Sequence, residues 1–221
     1  MRNPIADASN MTHEDRERFI GAAERCPYAA PIVLFAAQIA TNQGELDKAL
    51  QLSVRPFTAP ADELARLQTR YWILYAADKP VAERSAVVAA ATKVDATSAS
   101  ARMLRGVETC LSGNCKTPLA DLEFADARLH SIEPLPFLSA ARLNNGNTEG
   151  AVEAFDLYMD NGGGQRLDDG IVYAGVSAYS AAGSLDKARL VYQIGVESGI
   201  DESTGYMRKA IAIIRKAEAQ H

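Results

Sequence analysis

The regular spacing of turn residues constrains this 221-residue chain more than any other feature of its sequence. Five short breaks interrupt stretches of helical periodicity, and their marker residues are Gly44, Asp78, Gly113, Gly146 and Gly183. Successive markers stand 34, 35, 33 and 37 residues apart. A fixed period of about 20 to 50 residues is the sequence signature of repeat architectures. The spacing therefore predicts a chain built from repeated helix-turn-helix hairpins.

Three of the turns are followed by similar text. The chain reads ELDKAL over residues 45–50 and SLDKAR over residues 184–189. In these two units and in the one after Gly146, an alanine stands five residues beyond the glycine: Ala49, Ala151 and Ala188. In the last two units an aromatic residue follows four residues later, at Phe155 and Tyr192. A small residue lets the second helix approach the first closely, and the aromatic ring fills the space beside it.

The two middle units depart from this pattern. Glu83 and Pro118 stand where the alanine is expected. We therefore predict that Ala82 and Ala120 take the role of the small residue in a shifted register.

A small residue followed one turn later by a bulky one, in a period near 34 residues, resembles the tetratricopeptide repeat (TPR). Tyr179, four residues before Gly183, also stands where that family often places a tyrosine. The resemblance implies an all-α, right-handed α-solenoid of about five TPR-like helical hairpins with flanking N- and C-terminal helices. The hairpins are expected near residues 28–57, 60–95, 97–132, 134–163 and 167–199.

Three regions follow from this interpretation: an N-terminal extension with a leading helix (1–27), the TPR-like repeat array (28–199) and a C-terminal capping helix (200–221). Thr12 and Asp15 have the spacing of a capping box and predict the start of the leading helix. The last helix is expected from Glu202 to Ala219. Its apolar residues fall at helical spacing on one face, which suits a helix that covers the end of a stack: Met207, Ala210, Ile211 and Ile214.

The family resemblance implies that partners dock on the concave face, which the first helix of each hairpin lines. The side chains expected there are Phe35, Gln38, Gln68, Trp72, Tyr75, Met103, Val107 and Tyr173. Two interpretations of Trp72 and Tyr75 stay open, because these rings either pack against adjacent helices or anchor a bound peptide. A basic patch near the groove is a further expectation, and its candidates are Arg66, Arg70, Arg102 and Arg105.

Composition argues against several classes of function. The net charge is −5 and no long basic run occurs, so the electrostatic footprint of a nucleic-acid binder is missing. No stretch approaches the roughly 20 apolar residues of a transmembrane helix. The three histidines are scattered and no catalytic constellation stands out. We therefore expect no enzyme activity, no cofactor and no metal site.

The function predicted from the sequence is a protein-protein interaction scaffold that binds a peptide or protein surface, with self-association as a further possibility. The alternative is a structural solenoid segment of a bacterial envelope assembly, of the polysaccharide-export, pilus-assembly or phage-receptor type. The abundance of alanine favours a bacterial source. Cys110 and Cys115 flank a turn and could form a disulfide that leaves Cys26 unpaired, so both a cytoplasmic and a periplasmic location stay open.

Overall fold

The computed structural model describes residues 11–219, and every regular element within them is helical, which confirms the all-α prediction. Residues 1–10 of the predicted extension and the last two of the predicted capping segment lie outside the described residues. In chain order the α-helices are α1 (His13–Arg25), α2 (Ala30–Asn42), α3 (Leu46–Leu52), α4 (Pro60–Ala76), α5 (Val81–Asp95), α6 (Ala99–Leu111), α7 (Leu119–Leu129), α8 (Leu135–Asn144), α9 (Thr148–Asp160), α10 (Asp169–Ala181), α11 (Leu185–Glu197) and α12 (Gly205–Glu218). A 3-10 helix over Gly163–Arg166 follows α9.

Short polar side chains begin several of these helices by accepting from an otherwise unsatisfied backbone N–H. The Thr12 hydroxyl accepts from the N–H of Asp15 at 3.2 Å, so the predicted start of the leading helix is confirmed. Asp168 and Thr204 do the same for α10 and α12. None of the helices within residues 11–219 is long and apolar enough to cross a membrane.

The five marker residues share one backbone conformation, with φ between 48° at Asp78 and 93° at Gly113. In each turn, the residue after the marker donates its N–H to the carbonyl five residues earlier. At the first turn Glu45 donates to Ala40 at 2.9 Å, and at the last Ser184 donates to Tyr179 at 2.8 Å. This is the Schellman ending of a helix, which places its C′ residue in the left-handed region that favours glycine. The turns predicted from sequence are therefore confirmed, with Asp78 as the one marker that is not glycine.

The predicted small residues Ala49, Ala151 and Ala188 are fully buried. The prediction for the middle units is wrong, because Ala82 and Ala120 are exposed. The interior positions there belong to Arg84 and Leu122 instead. Pro80 and Pro118 explain the shift: each stands directly before its helix, so α5 begins three residues and α7 six residues after the marker, rather than two.

The chain divides into two compact units, residues 1–104 and 105–221, with the division inside α6. Each is described by itself. In unit 1, α1 packs on α2, α2 packs on α3 and α4, and α4 packs on α5. One apolar cluster joins α1 to α2 through Ile20, Val33 and Ile39, and a second centres on Ala49 and Ile73. The small side chains in α2 permit these close helix contacts.

In unit 2, α8 packs on α9 and α10, and α10 packs on α11 and α12. The predicted aromatic Phe155 is fully buried in α9, where its ring meets α10 at Gly175. A Cβ at position 175 would lie 2.3 Å from that ring, so only glycine fits here without rearrangement. Along α12, the predicted apolar face is confirmed by the buried side chains Met207 and Ile214.

Candidate functional site

A chain of three aromatic rings leads from the interior of unit 1 to its surface along α4. Tyr71 is fully buried, and its ring meets that of Trp72 edge to face at 5.3 Å. Trp72 meets Tyr75 in the same way at 5.9 Å. Trp72 and Tyr75 are each half-buried and lie three residues apart, on one face of the helix. We call these two rings the α4 aromatic surface.

Polar neighbours surround the α4 aromatic surface. Gln68 precedes Trp72 by one turn, and its side-chain oxygen accepts a hydrogen bond from the Ser100 hydroxyl at 2.9 Å. The Arg84 guanidinium lies over the Tyr75 ring at 5.9 Å and donates to the Lys79 carbonyl at 3.0 Å. Three of the predicted site residues, Gln68, Trp72 and Tyr75, thus lie on one helix of one unit.

The two predicted site residues of α2, Phe35 and Gln38, are not part of the α4 aromatic surface. The Phe35 ring packs edge to face on Phe19 of α1 at 5.0 Å and borders the Ile20 cluster. The leading helix thus covers part of the side chain that was expected to line a groove. Gln38 is half-buried one turn further along α2.

The prediction that Met103 and Val107 line a binding surface is wrong, because both side chains are fully buried. Their spacing before Gly113 matches that of Gln68 and Trp72 before Asp78. Burying each of these apolar side chains favours folding by about 1.5–3 kcal/mol.

The predicted basic patch is also not formed as expected, because three of its arginines make ion pairs or hydrogen bonds within the fold. The Arg66 guanidinium pairs with Glu63 at 2.6 Å and donates to the Ser53 carbonyl at 2.7 Å. Arg70 donates to the carbonyl of Leu50 at 3.1 Å, so the two arginines satisfy carbonyls at the end of α3.

The third arginine of the predicted patch, Arg105, lies in unit 2 and pairs with Asp121 at 2.8 Å. Arg102 is half-buried on α6. Arg66, Arg70 and Arg105 of the expected patch thus interact with carboxylates or carbonyls of the chain itself.

The remaining predicted site residue, Tyr173, lies in unit 2 beside a residue that the sequence did not single out. Its ring centre is 5.5 Å from that of Tyr206 at the start of α12. The Lys209 ammonium lies 5.3 Å from the Tyr206 ring and 6.0 Å from the Tyr173 ring. Tyr206 is 43% exposed, a large value for an aromatic side chain. We call these three residues the tyrosine–lysine surface.

Tyr206 was missed because α12 was interpreted only as a helix that covers the end of the repeat array. One signal could have found it. Tyr206 stands next to Met207 and therefore off the buried stripe, and the same helix carries the basic pairs Arg208-Lys209 and Arg215-Lys216. Because tyrosine is enriched among the residues that dominate binding energies, a tyrosine off the packed stripe of a basic helix is a candidate contact residue.

Tyr179, the tyrosine that contributes to the family resemblance, packs inside unit 2 and does not lie on a binding surface. It is buried, and its hydroxyl donates to the Asp156 carboxylate at 2.6 Å, which also binds the Lys187 ammonium at 2.9 Å. Burial and this hydrogen bond raise the pKa of Tyr179. Although burial acts to raise the pKa of Asp156, hydrogen bonds from Tyr179 and Lys187 hold it below its ordinary value.

Cys110 and Cys115 form a disulfide across the turn between α6 and α7. Cys26 is a free, exposed thiol in unit 1. Within residues 11–219, no group of three or more metal-ligating side chains is close enough to hold an ion.

Comparison with known proteins gave no family model and no curated protein that matches this chain.

Proposed function

We propose that the chain is a TPR-like solenoid that serves as a protein-protein interaction scaffold, with the α4 aromatic surface as a docking site for a partner peptide or protein. It is not an enzyme in this proposal. The repeat period of the sequence and the succession of helix pairs joined by Schellman turns support the architecture.

The observation that carries the proposal is the ring chain of α4. Tyr71 anchors it in the interior, and packing edge to face holds Trp72 and Tyr75 at the surface. Rings held in this way lose little conformational entropy when a partner binds, and Trp and Tyr are enriched among residues that dominate binding energies. Both rings keep part of their area open to solvent.

The test is affinity capture from a lysate with the full chain and with Trp72→Ala, followed by titration of the captured protein against both. We expect the variant to stay helical by far-UV circular dichroism. The loss of a central aromatic anchor should weaken binding by about 2 kcal/mol or more, which is roughly a 30-fold rise in Kd.

Tyr28→Ala is the matched control, since Tyr28 is an aromatic of the same unit that is 77% exposed and lies outside α4. It should capture the partner as the parent chain does. Equal binding by parent and Trp72→Ala would place the binding surface elsewhere. Unfolding of Trp72→Ala would instead assign the indole to the core.

The disulfide between Cys110 and Cys115 favours a second candidate, a structural solenoid segment of a bacterial envelope assembly. Disulfides persist in oxidising compartments such as the periplasm and are rare in reduced cytosol. If the parent chain captures no partner, this candidate gains support.

A further inference from the structure

The tyrosine–lysine surface of unit 2 has two tyrosine hydroxyls without a hydrogen-bond partner among the described residues. The other three tyrosines of this unit each donate internally: Tyr158 to the Arg166 carbonyl at 3.0 Å, Tyr179 to Asp156 at 2.6 Å and Tyr192 to Glu202 at 2.7 Å. The hydroxyls of Tyr173 and Tyr206 bond to no residue within the range 11–219. Their polar ends are therefore open to a ligand.

The helix that presents Tyr206 is strongly basic, in a chain whose net charge is −5. It carries four basic side chains and one acidic side chain, Glu218, which pairs with Arg189 at 2.8 Å. Within the described part of the chain, none of the four basic side chains has a carboxylate partner within 4 Å: Arg208, Lys209, Arg215 and Lys216. The described fold thus supplies no direct ion-pair partner to these four side chains.

The helical period places part of this charge next to the rings. Lys216 follows Lys209 by seven residues, two turns, and so lies on the same side of α12. Ile213 lies between them on that side and is half-buried. One side of α12 therefore presents, in order, an aromatic ring, a cation, an aliphatic side chain and a second cation.

We propose that the tyrosine–lysine surface binds an acidic segment of a partner protein. One apolar side chain of that segment packs on Tyr173 and Tyr206, and flanking carboxylates contact Lys209 and Lys216. Complementary charge gives the encounter its specificity and speed, while the aromatic pair supplies the apolar contact. This surface lies in unit 2, so its test is independent of the α4 aromatic surface, and either proposal can fail without the other.

The probe is a pool of synthetic 12-residue peptides with a fixed central Phe or Leu and random Asp, Glu, Ser or Gly elsewhere. A matched pool carries Lys and Arg in place of Asp and Glu, and a third carries Gly in place of the anchor. The full chain is immobilised at low ionic strength. We expect the acidic, anchored pool to be retained at least about tenfold over both others, and retention to fall as salt screens the charges.

Single peptides recovered from the pool are then titrated by fluorescence anisotropy. Lys209→Glu should raise their Kd at least about tenfold, because it places a carboxylate beside the acidic ligand. Lys116→Glu is the control for net charge, since Lys116 is an exposed cation of unit 2 outside α12. Tyr206→Ala tests the ring, and its folding is verified by thermal melting.

Three results would overturn the proposal: equal retention of the acidic and basic pools, an unchanged Kd in Lys209→Glu, or the same loss in Lys116→Glu. A fourth would assign the surface to a second copy of the chain. The α9 helix carries its own exposed acidic residues, Glu149 and Glu153, beside Leu157, which is 46% exposed. Self-association in sedimentation that disappears in both Lys209→Glu and Leu157→Ala would make α9 of another copy the occupant.

Discussion

The ion pair between Glu63 and Arg66 is largely removed from solvent, with side chains 14% and 8% exposed. Glu63 also accepts from the N–H of Phe57 at 2.9 Å, and Arg66 reaches the Ser53 carbonyl. The pair thus ties the segment before α4 to the end of α3. Burial acts to raise the pKa of Glu63, but the hydrogen bonds from Arg66 and Phe57 outweigh it and lower the pKa below 4.5.

Glu63→Gln should lower the free energy of unfolding at pH 7 by about 3 kcal/mol, since it leaves the Arg66 guanidinium buried without its counter-charge. Because the folded pKa of Glu63 is depressed, its contribution is complete above the ordinary value of 4.5 and is lost as pH falls through the folded pKa. Urea denaturation followed by circular dichroism at pH 7 and pH 3 should therefore show a difference between variant and parent that shrinks in acid.

Glu17→Gln is the matched control, because Glu17 is an exposed carboxylate of the same unit on α1. It should change the free energy of unfolding by less than about 0.5 kcal/mol. A difference between Glu63→Gln and the parent that is constant from pH 7 to pH 3 would contradict the assigned role of the charge.

At the scale of elements, the hairpin turns are specified by the backbone conformation of one residue each. Comparing Gly183 with Gly205 distinguishes the effect of backbone conformation from that of packing. A Cβ at either position would meet nothing within 4 Å. Only Gly183 has a positive φ, of 73°. Asp78 adopts a similar conformation at 48° although it carries a side chain.

Gly183→Ala should lower the melting temperature, at a cost of about 1–2 kcal/mol for the left-handed conformation. Gly205→Ala should be neutral or slightly stabilising, since alanine is the better helix former. Asp78→Gly should raise the melting temperature by relieving the strain at that turn. Differential scanning calorimetry of the three variants checks this order, and equal effects at positions 183 and 205 would contradict it.

Local signals in the sequence could predict some of the turns and buried positions but not others. A glycine that ends a helix and an alanine five residues later are signals of local geometry, so Gly44 and Ala49 could be interpreted directly. Ala82 and Ala120 could not, because Pro80 and Pro118 move the start of the following helix and shift the buried positions to Arg84 and Leu122.

At the scale of the whole molecule, the number of free thiols tests the disulfide between Cys110 and Cys115. Without reductant, the purified chain should have a mass two hydrogens below that of the reduced form, with Cys26 as its one alkylatable thiol after denaturation. Reduction should expose three. Replacing Cys110 and Cys115 by Ser should lower the free energy of unfolding by about 2 kcal/mol, because the closed loop is short.

Three alkylatable thiols in the protein isolated under conditions that trap thiols would contradict the disulfide and remove the support for an oxidising compartment. The Cys26→Ser variant is the control, since it should lose its single reactive thiol and keep the disulfide.

The two surfaces proposed to bind partners were less predictable than the helices. Trp72 and Tyr75 could be placed because their helix already had a sufficient apolar stripe without them. Met103 and Val107 were misplaced because turn spacing identifies a position along a helix, whereas burial depends on which neighbours meet it. Tyr206 is of interest because its ring contacts Tyr173, more than thirty residues away in the sequence. No local sequence pattern predicts such a contact.

The Schellman turns limit how the sequence of such a chain can change during evolution. Their hydrogen bonds join backbone groups, so each turn requires one residue that tolerates the left-handed conformation. The other positions of the turn can carry many different side chains. Most substitutions on the outer faces of the helices therefore leave the hairpins intact, while an insertion inside a helix would rotate every later side chain away from its neighbours. Among related chains, we therefore expect the spacing between turns to be better conserved than the identity of the residues between them.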